Sequence, residues 1–128
     1  MSDQSGEAPN AVNRRRYVRV AVDTTIAYTL DGQSESKTGH SSDLGGGGVR
    51  LATQEDLPLG TVLVLRFRLP GIDRELAGRG RIVLSFYNAE QKRFLHGIAF
   101  TQIDPRDQDA IVGYVAAESE RLAADARG

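Results

Sequence analysis

The residues best suited to binding chemistry begin with four arginines near the start of the chain. Arg14, Arg15, Arg16 and Arg19 lie within six residues of one another. A guanidinium group can bind a phosphate through two parallel hydrogen bonds, match the O6 and N7 acceptors of guanine, or stack on a base. The cluster therefore indicates an anion site, although a solvated charge run or a nonspecific nucleic-acid arm also fits it.

A second candidate is the glycine-rich segment that follows an aspartate, from Asp43 to Gly48. Glycines allow the backbone to approach a ligand closely. An ionised carboxylate accepts hydrogen bonds from paired donors, such as the N1–H and N2–H₂ groups of guanine. The segment also fits an ordinary glycine turn in which Asp43 accepts from nearby backbone amides, so by itself it leaves both interpretations open.

The remaining polar residues do not form a recognisable catalytic set. Neither His40 nor His96 stands in a metal-binding spacing. His40 lies just before two serines and Asp43, but neighbours on a strand point to opposite faces and do not form a triad. The four consecutive glycines lack the Lys-Ser/Thr pair of a phosphate-binding P-loop, and the chain has no cysteine. We therefore expect no catalytic residue, no metal site and no enzymatic activity, with His40 at a solvated strand end and His96 packed or at an edge.

The elements that position these residues are predicted to be short strands followed by one helix. Residues that alternate between apolar and polar, separated by turn signals, are typical of a barrel or a sandwich. The predicted strands cover about 17–29, 33–42, 49–51, 61–69, 75–86 and 94–100, with residues 43–48 as a turn. Asp104 and Pro105 then predict a helix start, with the aspartate as N-cap. One face of this helix carries Ile111, Tyr114, Val115 and Leu122, which predicts packing on the barrel.

Composition limits the class of protein. The 128 residues suit one domain, and a formal net charge of −1 argues against a general polyanion binder. A hydrophobic content of 40% is enough for a folded core. No apolar stretch approaches the roughly 20 residues of a membrane span, and the acidic, polar start lacks a secretory signal. We expect a cytoplasmic domain with no membrane insertion.

In order and spacing, the two candidate segments together resemble the PilZ domain, a bacterial receptor for cyclic di-GMP. The family pattern is R-x-x-x-R, followed later by [D/N]-x-S-x-x-G. Arg15 and Arg19 match the first motif, and Arg16 stands where a second arginine is common. Asp43 and Gly48 match the ends of the second motif. The later segments 80–84 and 96–100 also resemble the last two strands of the family.

The resemblance implies a mainly β fold. This is a six-stranded antiparallel PilZ-type β-barrel with a C-terminal α-helix and a flexible, arginine-rich N-terminal leader. The implied organisation is a leader at 1–13, one domain at 14–124 with strands over about 17–100 and a helix over about 105–123, and a tail at 125–128.

The resemblance also implies a function and a set of ligand contacts. Arg15 and Arg19 would bind phosphates and guanine O6/N7 edges, Asp43 would bind a guanine, and Gly45 and Gly48 would allow close approach of the backbone. An arginine in the position of Arg14 is associated in the family with a stacked ligand pair, which implies two cyclic di-GMP molecules per protomer. Binding would order the leader and signal to a downstream protein, with no polynucleotide partner.

Two departures from the family pattern keep an alternative open. Gly45 stands where the family has serine, which removes a hydrogen bond of about 0.5–1.5 kcal/mol. Leu84 lies about where many members carry a tryptophan. The alternative is a degenerate PilZ-like adaptor that binds a protein without nucleotide. A third possibility is a nucleic-acid-binding barrel that uses the arginine arm, against which stand the net charge and the few aromatic residues.

Overall fold

Alternating apolar residues form antiparallel strands in the computed structural model, which describes residues 18–127. The predicted leader, together with Arg14, Arg15 and Arg16, lies outside the described residues. The elements are β1 (Arg19–Ala21), β2 (Thr25–Leu30), β3 (Ser36–Gly45), β4 (Gly48–Thr53), β5 (Val62–Phe67), β6 (Leu76–Asn88), β7 (Arg93–Ile103) and helix α1 (Pro105–Arg127). Among the described residues, no helix combines the length and apolar character needed to cross a membrane.

The strands close into a six-stranded barrel. They follow the order β1-β3-β2-β5-β6-β7-β4. An additional pairing of β3 with β4 closes the six strands from β2 through β7 into a ring. Strand β1 is a short seventh strand that pairs with the end of β3. The predicted six-stranded antiparallel barrel with a C-terminal helix is therefore confirmed.

The first predicted strand, over 17–29, is interrupted in the structure between β1 and β2. The cause of this interruption is Ser41, a residue of the neighbouring strand β3. Its hydroxyl group donates to the carbonyl of Val22 and accepts from the backbone N–H of Thr24 at 3.2 Å. The side chain thus bonds the groups that a continuous ladder would have paired, and β3 itself is irregular just after Ser41.

The turn predicted over 43–48 is much shorter than expected. Gly45 pairs with Gly48 across the hairpin, so that only Gly46 and Gly47 form the turn. The missing Cβ of Gly48 also allows this end of the hairpin to lie directly on β7, because a Cβ there would lie 2.1 Å from the carbonyl oxygen of Ile98. Asp43 therefore lies on a strand, where its neighbours are fixed by the ladder.

Helix α1 is attached to one end of the barrel by its first half. Asp104 caps it as predicted, since its side chain accepts from the backbone N–H of Arg106 at 2.8 Å. Ile111 and Val115 are buried against the barrel core. The prediction that Leu122 shares this buried face is wrong: the side chain is 45% exposed, because the last turns of the helix extend past the core.

Asp107 supplies the polar attachment of this helix. Its carboxylate accepts from the backbone N–H of Ala77 at 3.2 Å and forms an ion pair with Arg74. Burial acts to raise the pKa of Asp107, but the hydrogen bonds from Arg74 and Ala77 outweigh it and hold the pKa below its usual value. Gln108 follows on the helix and donates to the carbonyl of Gly46 at 2.9 Å, which ties the helix to the β3–β4 hairpin.

Candidate functional site

The end of β3 brings the later arginine of the first motif to the aspartate of the second. In the β1–β3 ladder, Arg19 lies opposite Gly45, and Ala21 lies opposite Asp43. Arg19 donates through Nε to Oδ1 of Asp43 at 2.9 Å, and its Nη2 contacts the same oxygen. Both side chains remain partly exposed, at 39% and 27%. The pair therefore lies at the surface, where a ligand can reach both groups.

Gly45 has a steric role that its sequence does not reveal. A Cβ built at this position would lie 2.7 Å from the carbonyl oxygen of Val18 and 2.9 Å from Cγ of Arg19. The glycine therefore allows β1 to lie directly on β3. In this chain, residue 45 is covered by β1, where the family places a serine hydroxyl.

A cavity of about 380 Å³ opens beside this ion pair on the outer face of the barrel. Its lining residues come from β1, the β3–β4 hairpin and the facing strands β6 and β7: Arg19, Gly47, Arg50, Val83, Leu84, Gly97, Ile98 and Ala99. The walls combine two guanidinium groups with exposed apolar side chains and glycine backbone. Such a surface suits a ligand that is both anionic and flat. Leu84, singled out from the sequence, lies in the apolar wall and is 42% exposed.

Arg50 is the site residue that the sequence reasoning missed. It lies opposite Asp43 in the β3–β4 ladder, and its Nε is 3.9 Å from Oδ2 of that carboxylate. Its neighbours Val49 and Leu51 are buried in the core, so the alternation of β4 turns Arg50 outward. This alternation was a usable signal, but the partner across the ladder depends on a register shift between Ser41 and Asp43.

The two histidines lie apart from this cavity lining. His40 is half-exposed, as expected of a solvated residue, and its ring contacts the carboxylate of Asp23, but it lies in the middle of β3 rather than at a strand end. The adjacent Ser41 is bonded to Val22 and Thr24, as described above, so it does not build a triad with His40. His96 is fully buried between the hydroxyl groups of Thr53, at 2.9 Å, and Ser85, at 3.0 Å. Burial lowers its pKa, which fits a neutral packing residue.

The described part of the chain contains no group of three or more His, Cys, Asp and Glu side chains arranged to hold a metal ion. Of the seven predicted ligand-binding residues, the structure brings Arg19, Asp43, Gly45 and Gly48 together at one end of the β3–β4 hairpin. The other three, Arg14, Arg15 and Arg16, lie outside the described residues.

Comparison with known families identifies the class of protein. The family model of the PilZ domain matches residues 13–117, which is more than half of the chain. The chain therefore belongs to the PilZ domain family. A comparison with the curated proteins finds no match.

Solved structures of PilZ proteins share the fold at low sequence identity. The inhibitor of motility of Bacillus subtilis is 20% identical with a TM-score of 0.75, over 84% of this chain and 52% of that one. The PilZ domain of YcgR from Escherichia coli, solved with c-di-GMP, is 14% identical with a TM-score of 0.59, over 86% and 97%. The K. pneumonia MrkH–c-di-GMP complex is 16% identical with a TM-score of 0.64, over 90% and 56%. The chain thus spans about half the length of the first and third of these proteins.

Proposed function

We propose that this chain is a cytoplasmic receptor for cyclic di-GMP and has no catalytic activity of its own. The observation that carries the proposal is the Arg19–Asp43 pair beside a cationic and apolar cavity that Arg19 lines. These two residues belong to the two motifs of the PilZ domain, the family whose YcgR and MrkH members were solved with c-di-GMP. A ligand with two phosphates and two guanines needs such a combination of cations, a carboxylate and flat apolar walls.

Each proposed contact follows from the chemistry of its group. Arg15 and Arg19 bind phosphates and guanine O6/N7 edges, and Asp43 accepts from N1–H and N2–H₂ of a guanine. Arg14 and Arg16 add positive charge next to Arg15. We propose two ligand molecules per protomer, with Arg14 as the residue that favours the stacked pair.

The ligand must share or replace the existing Arg19–Asp43 pair. Exposed ion pairs contribute only about 0–1 kcal/mol to stability. The cost of opening this one is therefore small compared with the charge-assisted hydrogen bonds, about 1.5–3 kcal/mol each, that a ligand phosphate and a guanine would form. The pair holds the two side chains together beside the cavity that Arg19 lines.

Calorimetric titration of the full chain with cyclic di-GMP, with GTP as the control ligand, tests this proposal. We expect saturable binding by the wild type and a loss of at least about tenfold in Arg19→Ala, with little change in thermal stability. Arg66→Ala is the matched control, since Arg66 lies on β5 and, among residues 18–127, bonds only the hydroxyl of Ser36. Equal affinity of the wild type and Arg19→Ala would place the site elsewhere.

A protein-binding adaptor is the second candidate, and the structure of residue 45 favours it. The position of the family's serine is closed by Val18 and Arg19, so no hydroxyl group is available there to a ligand. An adaptor would give no heat with cyclic di-GMP, and its binding to a protein partner would not depend on Arg19.

As a receptor, the chain would pass its signal to a downstream protein when the ligand draws the N-terminal arginines onto the barrel. Ligand-dependent protection of that segment from limited proteolysis would support this step.

A further inference from the structure

We propose that Arg50 reads the guanine base of the ligand together with Asp43, an inference that rests on the proposed function. The two residues are cross-strand partners on the outer face of the β3–β4 hairpin. Neither the R-x-x-x-R motif nor the D-x-S-x-x-G motif includes position 50.

The first observation concerns the hydrogen bonding of the Arg50 guanidinium group among the described residues. Its Nε is shielded from solvent and forms no hydrogen bond within residues 18–127. The nearest carboxylate oxygen, Oδ2 of Asp43, lies 3.9 Å away, which is beyond hydrogen-bonding distance. The side chain as a whole is 43% exposed and lines the cavity. It can reorient toward a ligand without breaking an existing hydrogen bond.

The second observation is that the two carboxylate oxygens of Asp43 have different neighbours. Arg19 bonds to Oδ1, whereas Oδ2 faces Arg50. Each carboxylate oxygen can accept two hydrogen bonds, so Oδ2 retains capacity for a ligand donor. Within residues 18–127, the site thus presents an acceptor and a cationic donor side by side, 3.9 Å apart.

This arrangement complements one base edge in particular. On the Watson–Crick edge of guanine, the donors N1–H and N2–H₂ lie next to the acceptor O6. Asp43 accepts from the two donors, and Arg50 donates to O6 of the same base. Adenine presents an acceptor at N1 and a donor at N6, which would set an acceptor against Asp43 and a donor against Arg50. The Asp43–Arg50 pair therefore favours guanine over adenine.

Cyclic di-GMP and cyclic di-AMP are the probes that separate base reading from phosphate binding, because they carry the same phosphates. The full-length Arg50→Gln variant, which keeps much of the side-chain volume, should lose about 10- to 100-fold in affinity for cyclic di-GMP. Its affinity for cyclic di-AMP, measured by competition up to millimolar concentration, should change little. Arg50→Lys should recover part of the loss, since a single cationic donor remains.

Arg66→Gln is the matched control, because its arginine is also partly buried on an outer strand face but lies on β5. It should bind both nucleotides like the wild type, and thermal melts should show all variants folded. An unchanged affinity of Arg50→Gln for cyclic di-GMP would overturn the proposal while the receptor function stands. Equal losses for both nucleotides would also overturn it, since they would assign Arg50 to phosphate. A wild type that binds no cyclic di-GMP would overturn the receptor function and this proposal together.

Discussion

At the scale of single residues, the site is described by the hydrogen bonds and close contacts that its side chains make within the described residues. Among residues 18–127, Oδ1 of Asp43 accepts a hydrogen bond from Arg19, while Oδ2 faces Arg50, whose Nε forms no hydrogen bond. Position 45 has no room for a side chain, because Val18 and Arg19 occupy the space that a Cβ would need. The departure from the family's serine thus has a structural consequence as well as the loss of a hydroxyl group.

Restoring the family serine at position 45 should harm this chain. In Gly45→Ser, the new Cβ would collide with the carbonyl of Val18 and force β1 away from β3. We expect a decrease of about 1–3 kcal/mol in the free energy of unfolding, measured by urea denaturation. Gly113→Ser is the control, since a Cβ at that helical position meets nothing within 4 Å. A Gly45→Ser variant as stable as the wild type would show that β1 does not rest on residue 45.

The buried His96 should make stability depend on pH. Burial lowers its pKa in the folded state, whereas the unfolded chain binds a proton near the ordinary value of 6.5. Below about pH 6.5, the unfolded state therefore binds more protons than the folded state, and the free energy of unfolding falls by up to about 1.4 kcal/mol per pH unit. Chemical denaturation between pH 5 and 8 measures this slope.

His96→Gln should flatten that slope, even though the loss of imidazole packing lowers stability at every pH. His40→Gln should keep the slope, because the imidazole of His96 remains in place. A slope that persists unchanged in His96→Gln would assign the pH dependence to other groups.

At the scale of elements, local patterns were good predictors wherever neighbours in sequence decide the outcome. The alternation within the predicted strand over 61–69 puts Leu63, Leu65 and Phe67 on one face, and the structure buries these three side chains in the core. Asp104 and Pro105 marked the helix start. The interruption between β1 and β2 was not predictable, because the hydroxyl group that causes it belongs to Ser41 on another strand.

The same reasoning explains which parts of the site could be predicted. Arg19, Asp43 and Gly48 were found because they stand in short motifs. The proximity of Arg50 to Asp43 depends on the irregular register of the β3–β4 ladder. The covering of Gly45 by Val18 depends on the pairing of β1 with the end of β3. Both are tertiary features without a local sequence signal. Helix α1 is likewise held by contacts that its own periodicity does not encode, of which Asp107 with Ala77 is the clearest.

Removing the Asp107 carboxylate should therefore loosen the attachment of the helix. In Asp107→Ala, the backbone N–H of Ala77 and Nη1 of Arg74 lose their acceptor. We expect the free energy of unfolding to fall by about 1–3 kcal/mol in urea denaturation. Asp109→Ala, at an exposed position of the same helix, should change it by less than about 0.5 kcal/mol. Equal effects of the two substitutions would contradict the proposed attachment.

At the scale of the whole molecule, the closed barrel positions the site, and the helix contacts the hairpin that carries it. The β3–β4 hairpin carries Asp43 and Arg50, β6 and β7 supply the apolar wall, and Gln108 of the helix holds the hairpin turn. Arg19 joins this assembly through β1, the element that directly follows the N-terminal arginines. A ligand that engages those arginines would therefore act on the same strand that covers Gly45.

The calorimetric titration of the full chain with cyclic di-GMP tests this account most directly. The account predicts saturable binding near two ligands per chain, no saturation with GTP, and a marked loss of affinity in Arg19→Ala. A wild-type chain that gives neither heat nor a thermal shift at high cyclic di-GMP concentration would contradict the receptor proposal and favour the adaptor.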